Sequence, residues 1–218
     1  DKNRWTKKIT ELCAQNNLLV DFNDGPVHPY GQMRTWPNAV TREYCHAQLD
    51  GHHVFKPKTF VTTVFVNMVA GPIDMNNGMF DLRQGHTTRV DESQPVPSTL
   101  VSEAARTLIA FSGVTILPDI PEYYRKYPAL LNFLSAQKMP WKESRTLAGE
   151  IGEYIVMMRE TEDAYLVGAA TNESGRTIDL PLSFLEKGKY TVEVIEDGDD
   201  AQDRKSTRLN SSHQLISR

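Results

Sequence analysis

The chain has 218 residues, room for one large domain or a medium and a small one, with an ordinary globular share of hydrophobic residues at 39%. Its net charge of −4 excludes a polybasic protein and argues against nucleic-acid binding, and no apolar run reaches the roughly 18 residues needed to span a bilayer. Only Cys13 and Cys45 are present, which excludes a disulfide framework or a cysteine-based zinc finger.

In chain order, Arg4–Gln15 reads as a helix with Trp5, Ile9, Leu12 and Cys13 on one apolar face. Leu18–Phe22 reads as a buried parallel strand, and a helix followed at once by such a strand is half of an α/β repeat. From Asn23 to Gly51 the chain is rich in loops, with one short strand expected at Ala39–Tyr44. Lys58–Val69 is expected to be a buried helix capped near Thr59, followed by an extended Ile73-Asp74-Met75. Asn76–Pro97 reads as a long polar loop. Ser98–Ser112 is expected to be a helix capped by Ser98, and Pro121–Lys126 and Pro128–Ala136 short helices opened by proline. The Tyr123–Tyr127 cluster is expected to belong to a helix packed on its neighbours, with a surface contact as the alternative.

From about Pro140 the period changes. Arg145–Leu147, Glu153–Arg159, Tyr165–Thr171, Arg176–Pro181 and Lys189–Ile195 read as strands of a small antiparallel β domain. Tyr154, Val156 and Met158, then Tyr165, Val167 and Ala169, are expected to form their inward faces. Trp141 and Glu143 are expected to join the two halves. The segment from Asp203 to His213 matches the reading-frame translation of a sequencing adapter, with a basic disordered tail as the rival explanation. Residues 203–218 are therefore set apart as a non-native tail. Without them the chain has 20 Lys and Arg against 27 Asp and Glu, a net of −7.

The chemistry gathers near the strand ends. Asp21 and Asp24 follow a buried strand, and Glu43 and Asp74 lie after or within the next two extended pieces. Carboxylates converging there suit a calcium ion, which takes oxygen ligands, or the acid and nucleophile pair of a glycosidase. Tyr30, Trp36 and Tyr44 offer apolar ring faces to a sugar. The same residues also suit purely structural roles, with Asp24 in a turn, Asp21 hydrogen-bonded and Trp36 in the core. His28, His46, His52 and His53 lack the ligand spacing of a zinc site; His28 and His46 suit contacts to sugar hydroxyls. Cys45 reads as a small buried hydrophobe.

Four stretches, LLVDFNDGPVHPYGQMRTWPNAVTRE, FVNMVAGPIDMNNGMF, WKESRTLAGEIGEYIVMMRE and YLVGAATNESGRTIDLPLSFLEKGKYTVEVIEDGDD, together resemble glycoside hydrolase family 97 over nearly all of residues 1–202. The resemblance implies a calcium-dependent, exo-acting α-glucosidase or α-galactosidase that is secreted or periplasmic and acts on oligo- or polysaccharides. It implies that residues 1–139 are the C-terminal portion of a (β/α)8 TIM barrel and 140–202 a small antiparallel β-sandwich domain. The N-terminal β-sandwich and first barrel strands would then lie in the missing part of the same chain, and residues 1–202 alone would be inactive.

Residue by residue, Glu43 matches a calcium-ligand glutamate. Asp24 or Gly25, depending on the alignment, matches the site that is a base glutamate in inverting members and a glycine in retaining ones. The family's acid glutamate has no counterpart in Tyr44–Asp50. Gln48 cannot donate a proton, and Asp50 serves only across a small insertion. Gln48, His28, His46, Trp36 and Asp74 are the expected substrate contacts. The missing acid also raises a second possibility, a degenerate non-catalytic carbohydrate-binding or structural relative.

Overall fold

A computed structural model of the chain describes residues 2–24, 30–45, 56–82 and 96–197, and the backbone of 207–210. The first helix, α1 (Lys2–Gln15), turns an unexpected face inward. Thr6 and Thr10 are fully buried, while Trp5 and Leu12 are exposed. The Thr10 hydroxyl donates to the Thr6 carbonyl at 2.9 Å and accepts from Gln32 Nε2 at 2.7 Å, so the polar face carries the packing. Strand β1 is only Val20–Phe22, and Leu18 and Leu19, expected within it, are 56% and 65% exposed.

Strand β2 (Ala39–Arg42) runs parallel to β1, with Asp21 opposite Thr41 and Phe22 opposite Arg42. Ile73 adds a parallel bridge to Arg42 on the other side. The result is a three-segment parallel α/β arrangement; the described residues do not close a barrel. Arg42 is buried and ties the layers together. Its Nη2 donates to Gln32 Oε1 at 2.8 Å, and its guanidinium lies 4.5 Å from the centre of the Phe22 ring. Gly113 closes against this sheet. Its N–H donates to Val40 O at 2.8 Å, and a Cβ there would collide with that same backbone.

Helix α2 (Pro57–Val66) begins with Pro57 in its first turn, ahead of the expected cap at Thr59, and ends in a 3-10 turn at Asn67–Val69. Helix α3 (Leu100–Ile109) is capped by Thr99, whose hydroxyl accepts from Ser102 N, and not by Ser98. Helices α4 (Pro121–Arg125) and α5 (Pro128–Ala136) open with proline as expected.

Segment 76–82 corrects the reading of a polar loop. Asn77, Met79, Phe80, Asp81 and Leu82 are buried without regular structure. Two carboxylates from distant segments hold this backbone. Glu103 Oε2 accepts from the N–H groups of Gly78 and Met79, and Asp119 Oδ2 accepts from those of Phe80 and Asp81. This satisfies donors that a buried loop would otherwise leave unpaired.

Strands β3 (Glu143–Glu150), β4 (Tyr154–Glu160) and β5 (Tyr165–Thr171) form one antiparallel sheet in that order. Arg176–Pro181 is not a strand. Pro181 lacks a ladder donor, and Arg176 turns back to Glu153 at 2.6 Å. Among the described residues the expected sandwich is not formed: the C-terminal part holds a three-stranded antiparallel sheet covered by helices and a separate two-stranded ladder. Strand β6 is Val194–Asp197 only, and it pairs antiparallel with β7 (Thr207–Asn210), which lies inside the segment set apart as a tail.

On β5 the inward face is Gly168 and Ala170, opposite to the expected phase; Val167 is 37% exposed. A Cβ on Gly168 would come within 3.1 Å of Ala105 O and 3.3 Å of Leu108 Cδ2, so α3 can lie close on the sheet only over a small residue.

One hydrophobic cluster joins Phe60, Val61, Ile73, Met75 and Ile109 to Ile155, Met157 and Ala170, so the core is continuous across residue 139. A second gathers Met79, Phe80, Leu100, Leu108's neighbour Ala104, Tyr124 and Leu130. Between them α3 buries the Glu103–Arg106 ion pair at 2.9 Å. The expectation for Trp141 holds in the geometry: Arg159 lies 4.4 Å over its ring, and the same guanidinium donates to Leu108 O and Ile109 O of α3.

Candidate active site

The parallel pairing sets the site. Because β1 and β2 run the same way, their C-terminal ends deliver Asn23 and Asp24 beside Glu43. The Glu43 N–H donates to Phe22 O at 3.0 Å, and the Asp74 N–H donates to Arg42 O at 2.9 Å, so three neighbouring segments end together.

The side chains then interlock. The Asp24 N–H donates to Glu43 Oε2 at 2.8 Å, and Asn23 Nδ2 donates to Asp74 Oδ2 at 3.1 Å. Asp24 adopts φ of 51°, a left-handed backbone that aspartate tolerates better than most residues. Asp74 is 3% exposed. Asp24, Glu43 and Asp74 are thus brought together.

Asp21 joins them from within β1. Its pKa rises to about 6, first through desolvation and then through the charges of Asp74 and Glu43, although part of its side chain stays open to solvent. Burial and the same two carboxylates push the Cys45 thiol up to about 12, which keeps it a neutral small hydrophobe. The rings of Tyr30 and Tyr44 lie 5.9 Å apart close by, since Tyr44 follows Glu43. A carboxyl that holds its proton toward neutral pH beside further carboxylates can serve proton transfer at a glycosidic oxygen.

Trp36 does not join this group. It precedes β2 by three residues and so stands at the opposite end of the strand from Glu43. His28, His46, Gln48 and Asp50 lie outside the described residues. Asn23, which fixes Asp74, is a residue that sequence reasoning misses, whereas Asp21 reads both as one of the converging carboxylates and as a hydrogen-bonded structural group.

Among the described residues no group of three His, Cys, Asp or Glu side chains stands at metal-binding geometry. A calcium ion held by Glu43 would therefore draw its remaining ligands from outside them. Among the described residues no helix is long and apolar enough to cross a membrane.

Residues 140–217 match the family described as Glycosyl-hydrolase 97 C-terminal, oligomerisation, a match that extends through the segment set apart as a tail. The chain is 29% identical over 199 residues to a retaining alpha-galactosidase of Bacteroides thetaiotaomicron, covering 89% of this chain and 30% of that protein. It is 28% identical over 200 residues to a probable retaining alpha-galactosidase of Streptomyces bingchenggensis, covering 92% and 29%. The chain thus spans about three-tenths of the curated relatives it matches. Among solved structures, a glycoside hydrolase family 97 enzyme from Pseudoalteromonas sp. strain K8, in complex with panose, superposes with a TM-score of 0.78 at 25% identity, covering 97% of this chain and 34% of that one. A beta-arabinopyranosidase shares the fold, with a TM-score of 0.72 at 20% identity. The sequence and structural matches agree: residues 140–217 match the family's C-terminal model, and the chain as a whole is similar to the C-terminal part of glycoside hydrolase family 97 enzymes.

Proposed function

We propose that the chain is the C-terminal part of a calcium-dependent, exo-acting α-glycosidase that hydrolyses terminal α-linked sugars, α-galactosides first and α-glucosides as the alternative. The observation that carries this reading is the meeting of Asp24, Glu43 and Asp74 at the ends of parallel segments, with Asp21 holding its proton to about pH 6 among them. The retaining α-galactosidases among its relatives favour the galactoside. In this reading β1, β2 and the Ile73 segment are the last strands of a (β/α)8 barrel. Trp5, Leu12, Leu18 and Leu19 are covered by earlier strands of the parent, which also carries the N-terminal β-sandwich.

Asn23 orients Asp74, the Asp24 amide orients Glu43, and exposed Tyr30, packed against the buried Tyr44, offers a ring face to the sugar. Asp24 or Asp50 would supply the remaining acid–base function, and His28, His46, Gln48 and Asp74 the hydrogen bonds to sugar hydroxyls. Bound calcium, with Glu43 as one ligand, would polarise the substrate and orient the attacking group. This reading expects the parent in the periplasm or outside the cell.

The test is hydrolysis of aryl α-galactoside and aryl α-glucoside by the full-length protein, with and without chelator. Chelator-sensitive turnover of one of them is expected; turnover of both, indifferent to chelator, would overturn the calcium reading. A second reading, a non-catalytic saccharide-binding relative, is favoured by the absence of glutamate from Tyr44–Asp50. It predicts sugar binding without turnover.

A further inference from the structure

A cavity of about 340 Å3 opens where the helical half meets the sheet, between residues 138–142 and the β4–β5 turn. It shares no lining residue with the carboxylate site, and its volume falls in the range of small-ligand pockets. Met139, Pro140 and Trp141 give it an apolar wall. Trp141 is held in place before any ligand arrives, with the Arg159 guanidinium 4.4 Å over its ring and the Phe111 ring 5.9 Å away. Arg159 is itself anchored on the carbonyls of Leu108 and Ile109. The opposite wall is equally fixed, because the Thr161 hydroxyl accepts from the N–H groups of Asp163 and Ala164. A preformed wall of this kind lowers the ordering cost of binding.

The rim carries Lys138, Lys142, Glu162 and Asp163, two ammonium groups and two carboxylates with no net charge. Lys142 and Glu162 pair at 3.0 Å while both remain exposed. A ligand of high net charge gains nothing from such a rim. A neutral polyol gains donors and acceptors together, and the C–H face of a pyranose matches the aromatic wall. We propose that this junction cavity binds a neutral pyranoside, as a saccharide site separate from the strand-end carboxylates. The choice of a saccharide rests on the glycosidase reading above.

The test titrates the full chain with methyl α-D-galactopyranoside and methyl α-D-glucopyranoside, following the Trp141 indole N–H by NMR, assigned with Trp141→Phe. At least one glycoside should give a saturable shift, with glucose 6-phosphate binding no tighter than it. Asp163→Ala and Lys138→Ala, both at exposed positions, should each weaken binding about tenfold, while Glu43→Gln should leave it unchanged. Three results would overturn the proposal: no saturable shift with either glycoside, a shift abolished by Glu43→Gln but kept in the rim variants, or a shift that tracks protein concentration alone and reports a second copy in the cavity. Loss of hydrolysis in the full-length protein with the Trp141 shift intact would remove the glycosidase reading and leave this site standing.

Discussion

The backbone amide of Asp24 and the carboxylate of Glu43, nineteen residues apart in sequence, meet at 2.8 Å across the ends of two parallel strands. That contact locks the turn after β1 to the end of β2 and gives Glu43 a fixed orientation. Substituting Glu43 with alanine removes the acceptor from an exposed amide, so the stability cost should be modest, about 0.5–1.5 kcal/mol. Urea denaturation checks this, and Glu43→Gln, which keeps an acceptor oxygen, should cost less.

Asp21 has a folded-state pKa of about 6 against an ordinary 3.8. The shift is upward, so the fold disfavours the ionised form. Its contribution to stability is fully present below about pH 4 and is lost as pH rises through 6. Because the side chain is partly exposed, solvent screening reduces the loss to about 1 kcal/mol. Asp21→Asn should remove this component of the pH dependence, measured by urea unfolding at pH 4 and pH 7. Asp74→Asn should move the Asp21 titration toward the ordinary value, read by carbon-detected NMR.

The Glu103–Arg106 pair sits between the two core clusters with both side chains out of contact with water. Glu103→Ala removes the carboxylate that lies 2.9 Å from the guanidinium and that also accepts from the amides of Gly78 and Met79. A loss of about 3–5 kcal/mol is expected. The double variant Glu103→Leu with Arg106→Met should recover only part of it, because the carboxylate that accepts from the Gly78 and Met79 amides is still gone. Denaturation midpoints of the three proteins decide this.

At Gly168 any side chain meets the backbone of α3. Gly168→Val should cost about 1–3 kcal/mol through overpacking, in spite of valine's preference for strands. Val167→Thr, one residue away on the exposed face, should be close to neutral. A pair of thermal melts distinguishes the two.

Much of the secondary structure was legible because it follows local rules. Tyr165–Thr171 matches its strand residue for residue, and Pro121 and Pro128 mark helix starts by the geometry of proline. The errors arise where distant groups decide. Segment 76–82 reads as a polar loop because nothing local shows that Glu103 and Asp119 will hold its backbone inside. The inward face of β5 was read in the wrong phase because hydrophobic alternation favours Val167, whereas the close approach of α3 demands Gly168. The strand ends placed Asp24, Glu43 and Asp74 near one another in the sequence reading. That reading missed Asn23, and it included Trp36, because spacing along the chain does not say which end of a strand a residue will occupy.

The most direct test of the account is the rate of aryl α-galactoside hydrolysis by the full-length protein and its Glu43→Gln variant, compared by kcat/KM. A loss of about 100-fold or more is expected if Glu43 stands at the reacting centre. Equal rates, with stability also unchanged, would contradict the placing of the active site at these strand ends.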